Sequence, residues 1–168
     1  MKKRIKYFVS DIDGVLTDGK IFYINKNINR VFNIKDGIAF KFLKFANIKS
    51  VLISGKKSEE TKQRFIELGL DFYFEGIENK IKVMEEFILQ HKISWEEICY
   101  LGDDLPDILV MKKSGLSIAP ADAVNEVKKI SHYICKQKGG EGAFREAVEL
   151  ILKEQGQWEN ILKNFYSY

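Results

Sequence analysis

KYFVSDIDGVLTDG, Lys6–Gly19, is the stretch from which the rest of the chain is read. Its first five residues, Lys6 to Ser10, hold the apolar run Tyr7, Phe8 and Val9 and suit a buried β-strand. The character then changes at once: Asp11, Asp13 and Asp18 follow, with Gly14 and Gly19 among them. Carboxylates so close together repel one another, so a fold that gathers them at a strand end needs a compensating cation. Mg2+ is the natural candidate, because it takes hard oxygen ligands and binds through one or two carboxylates plus substrate phosphate. Gly14, lacking a Cβ, lets the backbone come close to a ligand. Taken alone, the segment also reads as an acidic glycine-containing turn after a strand. The remainder of the chain decides between the two.

Outward from this loop, Lys20–Ile24 and Asn29–Asn33 read as short strands around the turn Asn25-Lys26-Asn27, a β-hairpin over 20–33. Its Phe22, Tyr23, Val31 and Phe32 are too apolar for free solvent and are expected to pack on the protein or on another subunit. A helix opens at Asp36-Gly37 and runs to Ala46, and Ile48–Ser54 is a second buried strand. Ser58 caps the next helix, which Gly69 ends. Asp71–Phe74, Ile98–Leu101, Leu116–Ala119 and His132–Cys135 supply further strands. Asn79–Gln90, Asp107–Lys113 and Ala123–Lys129 supply helices between them. Gly139–Gly142 reads as a flexible hinge before a helix from Ala143 to Glu154, and the tail 157–168 carries Trp158, Phe165, Tyr166 and Tyr168.

This alternation predicts an α/β fold: a doubly wound, mostly parallel sheet with helices on both faces, in one domain over 1–168. Ligands of such sheets bind beyond the carboxyl ends of the strands. That rule gathers four polar clusters at one edge: Asp11 and Asp13, Ser54-Gly55, Lys80 at a helix start, and Gly102-Asp103-Asp104.

Composition narrows the functional classes. With 168 residues, 45% hydrophobic and 30% charged, the chain has globular composition and enough length for one substantial core. A net charge of +3 is too small to argue for nucleic acid, and the cluster Lys2-Lys3-Arg4 reads as a solvated strand flank. Cys99 and Cys135 lie in apolar runs and read as buried free thiols of a reduced compartment, with a disulfide between them the alternative that nothing in the sequence supports. No signal peptide and no apolar run near ~20 residues are evident, so a cytoplasmic location away from the membrane is expected.

The four clusters form a set of parts for phosphoryl transfer. A carboxylate can attack phosphorus and form an aspartyl phosphate, dividing one difficult displacement into two. A second carboxylate can protonate the leaving alkoxide and then deprotonate the water that hydrolyses the intermediate. Asp103 would complete a Mg2+ site, while Ser54, the Gly55 N–H and the Lys80 ammonium would hold the phosphoryl oxygens.

The pattern resembles the haloacid dehalogenase superfamily of phosphatases. DIDGVLTDG matches its first motif, ISG its second, Lys80 its third and GDDLPD its fourth. The resemblance implies Asp11 as nucleophile, Asp13 as general acid/base, and Mg2+ held by Asp11, the Asp13 carbonyl and Asp103. Asp104 and Asp107 would orient ligands. Larger members insert a cap domain after the first or second motif; here the intervals leave room for none.

More narrowly, the chain is similar to the 3-deoxy-D-manno-octulosonate 8-phosphate phosphatase group, through DIDGVLTDG, FNIKDG, ISGKKS, GDDLPD and GGEGAFREAVELIL. The resemblance implies a homotetramer whose hairpins build a central barrel, and a sugar phosphate substrate from lipopolysaccharide precursor synthesis. A relative within the group acts on 2-keto-3-deoxynonulosonate 9-phosphate. Lys56 stands where the octulosonate enzymes usually carry Arg and the nonulosonate enzymes Glu, and a cation there suits a substrate carboxylate. Arg145 could reach that carboxylate or form a helix salt bridge. The hairpin and the aromatic tail are the elements available to cover the site.

Rival readings fit less well. A receiver domain carries its phosphoacceptor Asp at the third strand, which here ends near Phe74-Glu75. A non-catalytic sugar-phosphate-binding or regulatory subunit would be expected to lack Asp11 or Asp13, and phosphomutases and phosphonatases normally need a cap.

Overall fold

Strand β1 (Tyr7–Ser10) is buried over its last three residues, and the sheet grows outward from it. The computed structural model describes residues 4–24 and 27–166. After β1 come β2 (Phe22–Ile24), β3 (Asn27–Asn29), α1 (Ile34–Phe45), β4 (Lys49–Ser54), α2 (Glu59–Leu68), β5 (Phe72–Glu75) and α3 (Lys80–His91). The second half supplies β6 (Ile98–Leu101), α4 (Ile108–Lys113), β7 (Leu116–Ala119), α5 (Asn125–Ile130), β8 (Tyr133–Ile134), α6 (Ala143–Glu154) and α7 (Trp158–Tyr166).

Six strands form one sheet in the order β5-β4-β1-β6-β7-β8, and every pairing is parallel. The chain steps outward from β1 to β4 and β5, then returns to build β6, β7 and β8 on the other side. The winding therefore reverses beside β1, and a crevice opens past the carboxyl ends of β1 and β6. The doubly wound sheet read from the sequence is the one observed.

Alternate strand residues serve opposite faces. Phe8, Leu52, Cys99, Leu101 and Ile118 pack in one layer with Phe40 and Leu43 of α1, Phe65 of α2, Phe144 and Val148 of α6 and Ile161 of α7. Val9, Val51, Ile53, Ile98, Tyr100 and Ala119 meet Met84 and Phe87 of α3, Met111 of α4 and Val127 of α5. Covering both faces explains why the strands read as apolar runs rather than strict alternation. Phe144, fully buried, stacks on Phe40 at 4.7 Å and meets Phe8 edge-on at 5.1 Å. Burial of one such ring stabilises the fold by about 1.5–3 kcal/mol. Cys99 and Cys135 are buried free thiols, as expected. No helix among the described residues is long and apolar enough to cross a membrane.

Several boundaries shift for identifiable reasons. α1 starts before Asp36-Gly37 because the Asn33 side chain accepts from the Lys35 N–H (2.9 Å) and caps the helix there. The second hairpin strand is Asn27–Asn29 and not Asn29–Asn33: pairing Phe22 with Asn29 and Ile24 with Asn27 ends the ladder after three residues. The expected turn residues Asn25 and Lys26 lie outside the described residues, as do Lys2, Lys3 and Tyr168. Phe32 of the hairpin segment packs edge-on against Phe65, whereas Phe22, Tyr23 and Val31 are exposed.

From Trp158 to Tyr166 the tail is helical. It forms α7 and lies against its own domain, with Trp158 and Phe165 edge-on to Phe42 at 5.6 and 5.1 Å. Gly139–Gly142, read from the sequence as a hinge, packs against the acidic loop. The Gly140 N–H donates to Val15 O (2.9 Å), and a Cβ on Gly139 would stand 1.9 Å from Gly14 O. Glycine is required there because two backbones touch. The following helix α6 is capped from outside: Asp36 Oδ1 accepts from the Arg145 N–H (2.8 Å).

Candidate active site

The parallel ladder delivers the acidic residues to one place. The Asp11 N–H donates to Leu101 O (3.0 Å), so the chain leaving β1 stays bonded to the end of β6. The N–H groups of Val15, Leu16 and Thr17 all point to Ile12 O, which folds the acidic loop into a tight turn. Gly14 adopts φ +90°, and a Cβ there would lie 2.0 Å from Asp103 Oδ2. The glycine therefore admits Asp103 as well as the strained turn.

Past β6, Asp107 organises the second acidic loop. Its Oδ2 accepts from the N–H groups of Asp103 (3.1 Å) and Asp104 (3.4 Å), and its Oδ1 accepts from Tyr100 OH (2.6 Å) and Lys80 Nζ (2.7 Å). It has no solvent exposure. Lys80 opens α3, which Asn79 caps by accepting from the Lys82 N–H. The buried Lys80 ammonium also lies 3.0 Å from Asp11 Oδ1 and so bridges the two acidic loops.

One oxygen from each of Asp11, Asp103 and Asp107 falls within 4.8 Å of the others. Burial, then the charge of Asp107, push the Asp11 carboxyl up to about 7 against the pull of Lys80. Burial, then Asp11 and Asp107, push Asp103 up to about 8. Burial works against the charged form of Lys80, yet Asp107 and Asp11 outweigh it and its pKa is raised. Asp103 Oδ1 is buried without a hydrogen-bond partner. An orphaned carboxylate oxygen beside two further acidic groups is a donor set that fits a hard divalent cation.

The remaining expected residues divide. Ser54 is buried at the end of β4, where its Oγ accepts from the Lys56 N–H (3.1 Å), with Gly55 and Lys56 exposed beside it. Asp13, on the same turn as Asp11, is held by Arg30 through Nε to Oδ1 (2.6 Å) and Nη2 to Oδ2 (3.1 Å). Arg145 is not brought to this cluster. Its guanidinium lies 4.3 Å from the centre of the Phe42 ring and pairs with Glu149 one turn along α6. Of the two roles weighed for it, the structure shows the helix salt bridge, because Glu149 and the aromatic face already meet its charge and its plane.

Sequence reasoning missed Arg30. The available signal was residue choice: it is one of four arginines among 27 basic residues, in a chain that otherwise uses lysine. No domain is inserted between the loops, since Asp13 and Ser54 are separated by the hairpin and α1, and Ser54 and Lys80 by α2 and β5.

Residues 76–145, from the end of β5 to the start of α6, match the haloacid dehalogenase-like hydrolase family. A 3-deoxy-D-manno-octulosonate 8-phosphate phosphatase from Haemophilus influenzae is 35% identical over 156 residues, covering 92% of this chain and 87% of the relative. The Escherichia coli K12 protein of the same name is 34% identical and covers 92% and 83%. Among solved structures, a protein from Pseudomonas syringae described as a probable YrbI family phosphatase superposes with a TM-score of 0.95 at 37% identity, over 98% and 94% of the two chains. The Moraxella catarrhalis 3-deoxy-D-manno-octulosonate 8-phosphate phosphatase, solved with magnesium, phosphate and the sugar acid, gives 0.92 at 32% identity over 96% and 93%. With relatives this similar over nearly the whole length, the chain belongs to the 3-deoxy-D-manno-octulosonate 8-phosphate phosphatase family of haloacid dehalogenase-like hydrolases.

Proposed function

We propose that the protein is a Mg2+-dependent phosphatase that hydrolyses 3-deoxy-D-manno-octulosonate 8-phosphate to the free sugar acid and phosphate. The observation that carries this reading is the Lys80 bridge, which holds Asp11 at the crevice beside Asp103 and Asp107. Asp11, the Asp13 carbonyl and Asp103 would hold a magnesium ion, which would neutralise charge on the phosphoryl oxygens. Asp11 attacks phosphorus, and the bond from phosphorus to the sugar oxygen breaks. The departing oxygen takes a proton from Asp13. Asp13 then removes a proton from water, whose oxygen bonds to phosphorus as the Asp11–phosphorus bond breaks. Lys80 keeps Asp11 aligned and stabilises charge on the transferring group, with Gly14, Ser54 and Gly55 lining the phosphate position.

Lys56, an exposed cation two residues past Ser54, suits the carboxylate of a 2-keto sugar acid. The exposed Ile21, Phe22, Tyr23, Val31 and Ile34 support assembly of the chain through its hairpin, as a homotetramer. The test is a screen of phosphate release from the octulosonate and nonulosonate phosphates, with simple sugar phosphates as controls. Turnover should require Mg2+, vanish with EDTA and be abolished by Asp11→Asn. A Asp11→Asn variant with near-wild-type turnover would remove the nucleophile, and preference for the nine-carbon substrate would replace the assigned one.

A further inference from the structure

The hairpin ends on a side chain aimed at the reaction. Arg30 follows β3 and turns back to Asp13, where two nitrogens meet two separate carboxylate oxygens at 2.6 and 3.1 Å. The Arg30 side chain is 7% exposed and that of Asp13 30%, so the guanidinium is shielded while Asp13 keeps partial access to solvent. A two-point fork fixes the plane of the carboxylate, which a single point charge does not do.

We propose that Arg30 is a positioning residue for Asp13. The fork holds the Asp13 carboxyl in the one orientation from which it serves the leaving oxygen, so a structural element outside the four acidic and basic motifs completes the proton-transfer geometry. This inference rests on the phosphatase reading. The step it governs is cleavage of the phosphorus–oxygen bond to the sugar: Asp13 enters it protonated on one oxygen and held by Arg30 through the other, the bonding pair stays on the sugar oxygen, the proton passes from Asp13 to that oxygen, phosphorus bonds to Asp11, and the two-point fork seen here closes on the resulting Asp13 carboxylate. Misorienting Asp13 penalises poor leaving groups, which need the proton, far more than a nitrophenolate, which does not.

The experiment compares wild type, Arg30→Gln and Arg30→Lys, each checked for folding and assembly, on the sugar phosphate and on p-nitrophenyl phosphate. Rapid quench measures the first phosphoryl transfer, and steady state gives kcat and KM. Arg30→Gln should slow transfer from the sugar phosphate by roughly 10-fold or more with little change in KM, slow transfer from the aryl ester far less, and Arg30→Lys should recover part of the loss. If Arg30→Gln does not fold, Arg30→Lys carries the same comparison. Equal losses on both esters would assign Arg30 a purely structural part, and a raised KM at unchanged kcat would make it a substrate contact; either overturns the inference while leaving the phosphatase intact. A wild type without turnover removes the phosphatase reading and this inference together.

Discussion

Lys80→Met takes one positive charge from among three carboxylates and leaves most of the side-chain stem in place. Lys80 is 5% exposed and lies 2.7 Å from Asp107 and 3.0 Å from Asp11. Removing one partner of a buried ion pair costs about 3–5 kcal/mol, because the other charge is stranded. Asp107 retains three donors, Tyr100 OH and the N–H groups of Asp103 and Asp104, which places the cost at the lower end, about 3 kcal/mol. In a chain of this length each kcal/mol moves Tm by about 2–4 °C, so Tm should fall by about 6–12 °C. Thermal unfolding followed by circular dichroism in EDTA measures it. Turnover should fall by at least about 10²-fold, since in the proposed reaction the ammonium stabilises charge on the transferring group. The double variant Lys80→Met/Asp107→Asn separates the two effects: without the stranded charge, stability should largely return while turnover stays lost. A single variant within about 1 kcal/mol of wild type, or a double variant no more stable than the single, would refute the ion pair as the element that holds the site. Recovered turnover in the double variant would refute the part of Lys80 in transition-state stabilisation.

Gly14→Ala should displace Asp103, because the new Cβ would lie 2.0 Å from its Oδ2 on a backbone at φ +90°. Mg2+ affinity measured by calorimetry should weaken by about 10-fold or more, and unchanged affinity would show that the loop yields freely. The metal-free protein should also lose stability as pH rises. Asp11 and Asp103 have folded-state values raised to about 7 and about 8, so between pH 5 and 8 the folded state holds protons that the unfolded state has released. Their contribution is therefore present at low pH and lost as pH rises through those values. Mg2+ competes with the same protons, so its stabilisation in thermal melts should be larger at pH 8 than at pH 6, and a pH-independent increment would count against binding at these carboxylates.

What was legible in the sequence is what short stretches dictate locally. Asp11, Ser54 and Asp103 sit at strand ends, and a parallel sheet sends every strand end to the same edge, so three motifs distant in sequence could be placed together without coordinates. Ser58 and Gly69 bracket α2 as read, since caps act within one turn. The misses depend on contacts between distant segments. Arg30 gains its meaning only when the hairpin folds back on the acidic loop, and Gly139 only when its backbone presses on that of Gly14. Arg145 was open to two readings because an arginine near a glycine-rich segment suggests anion binding, while Glu149 four residues on and Phe42 across the helix interface supply its partners. Helix α7 was within reach: Trp158, Ile161 and Phe165 have helical spacing, and all three pack into the core layer.

Charge accounting explains why this arrangement asks for a divalent ion in particular. When ionised, Asp11, Asp103 and Asp107 bring three negative charges together and Lys80 returns one positive charge, which leaves two unmatched. Asp107 is matched in place, since Lys80, Tyr100 and two backbone N–H groups surround its oxygens. The excess therefore falls on Asp11 and Asp103, the two carboxyls driven up to about 7 and about 8, and Asp103 keeps an oxygen without any partner. A second lysine would cancel half of that excess and leave the orphaned oxygen to chance, whereas a small doubly charged cation matches both charges and takes the free oxygens as ligands. Wherever these carboxyls are ionised, the same excess repels an incoming phosphate, and a bound cation relieves that repulsion.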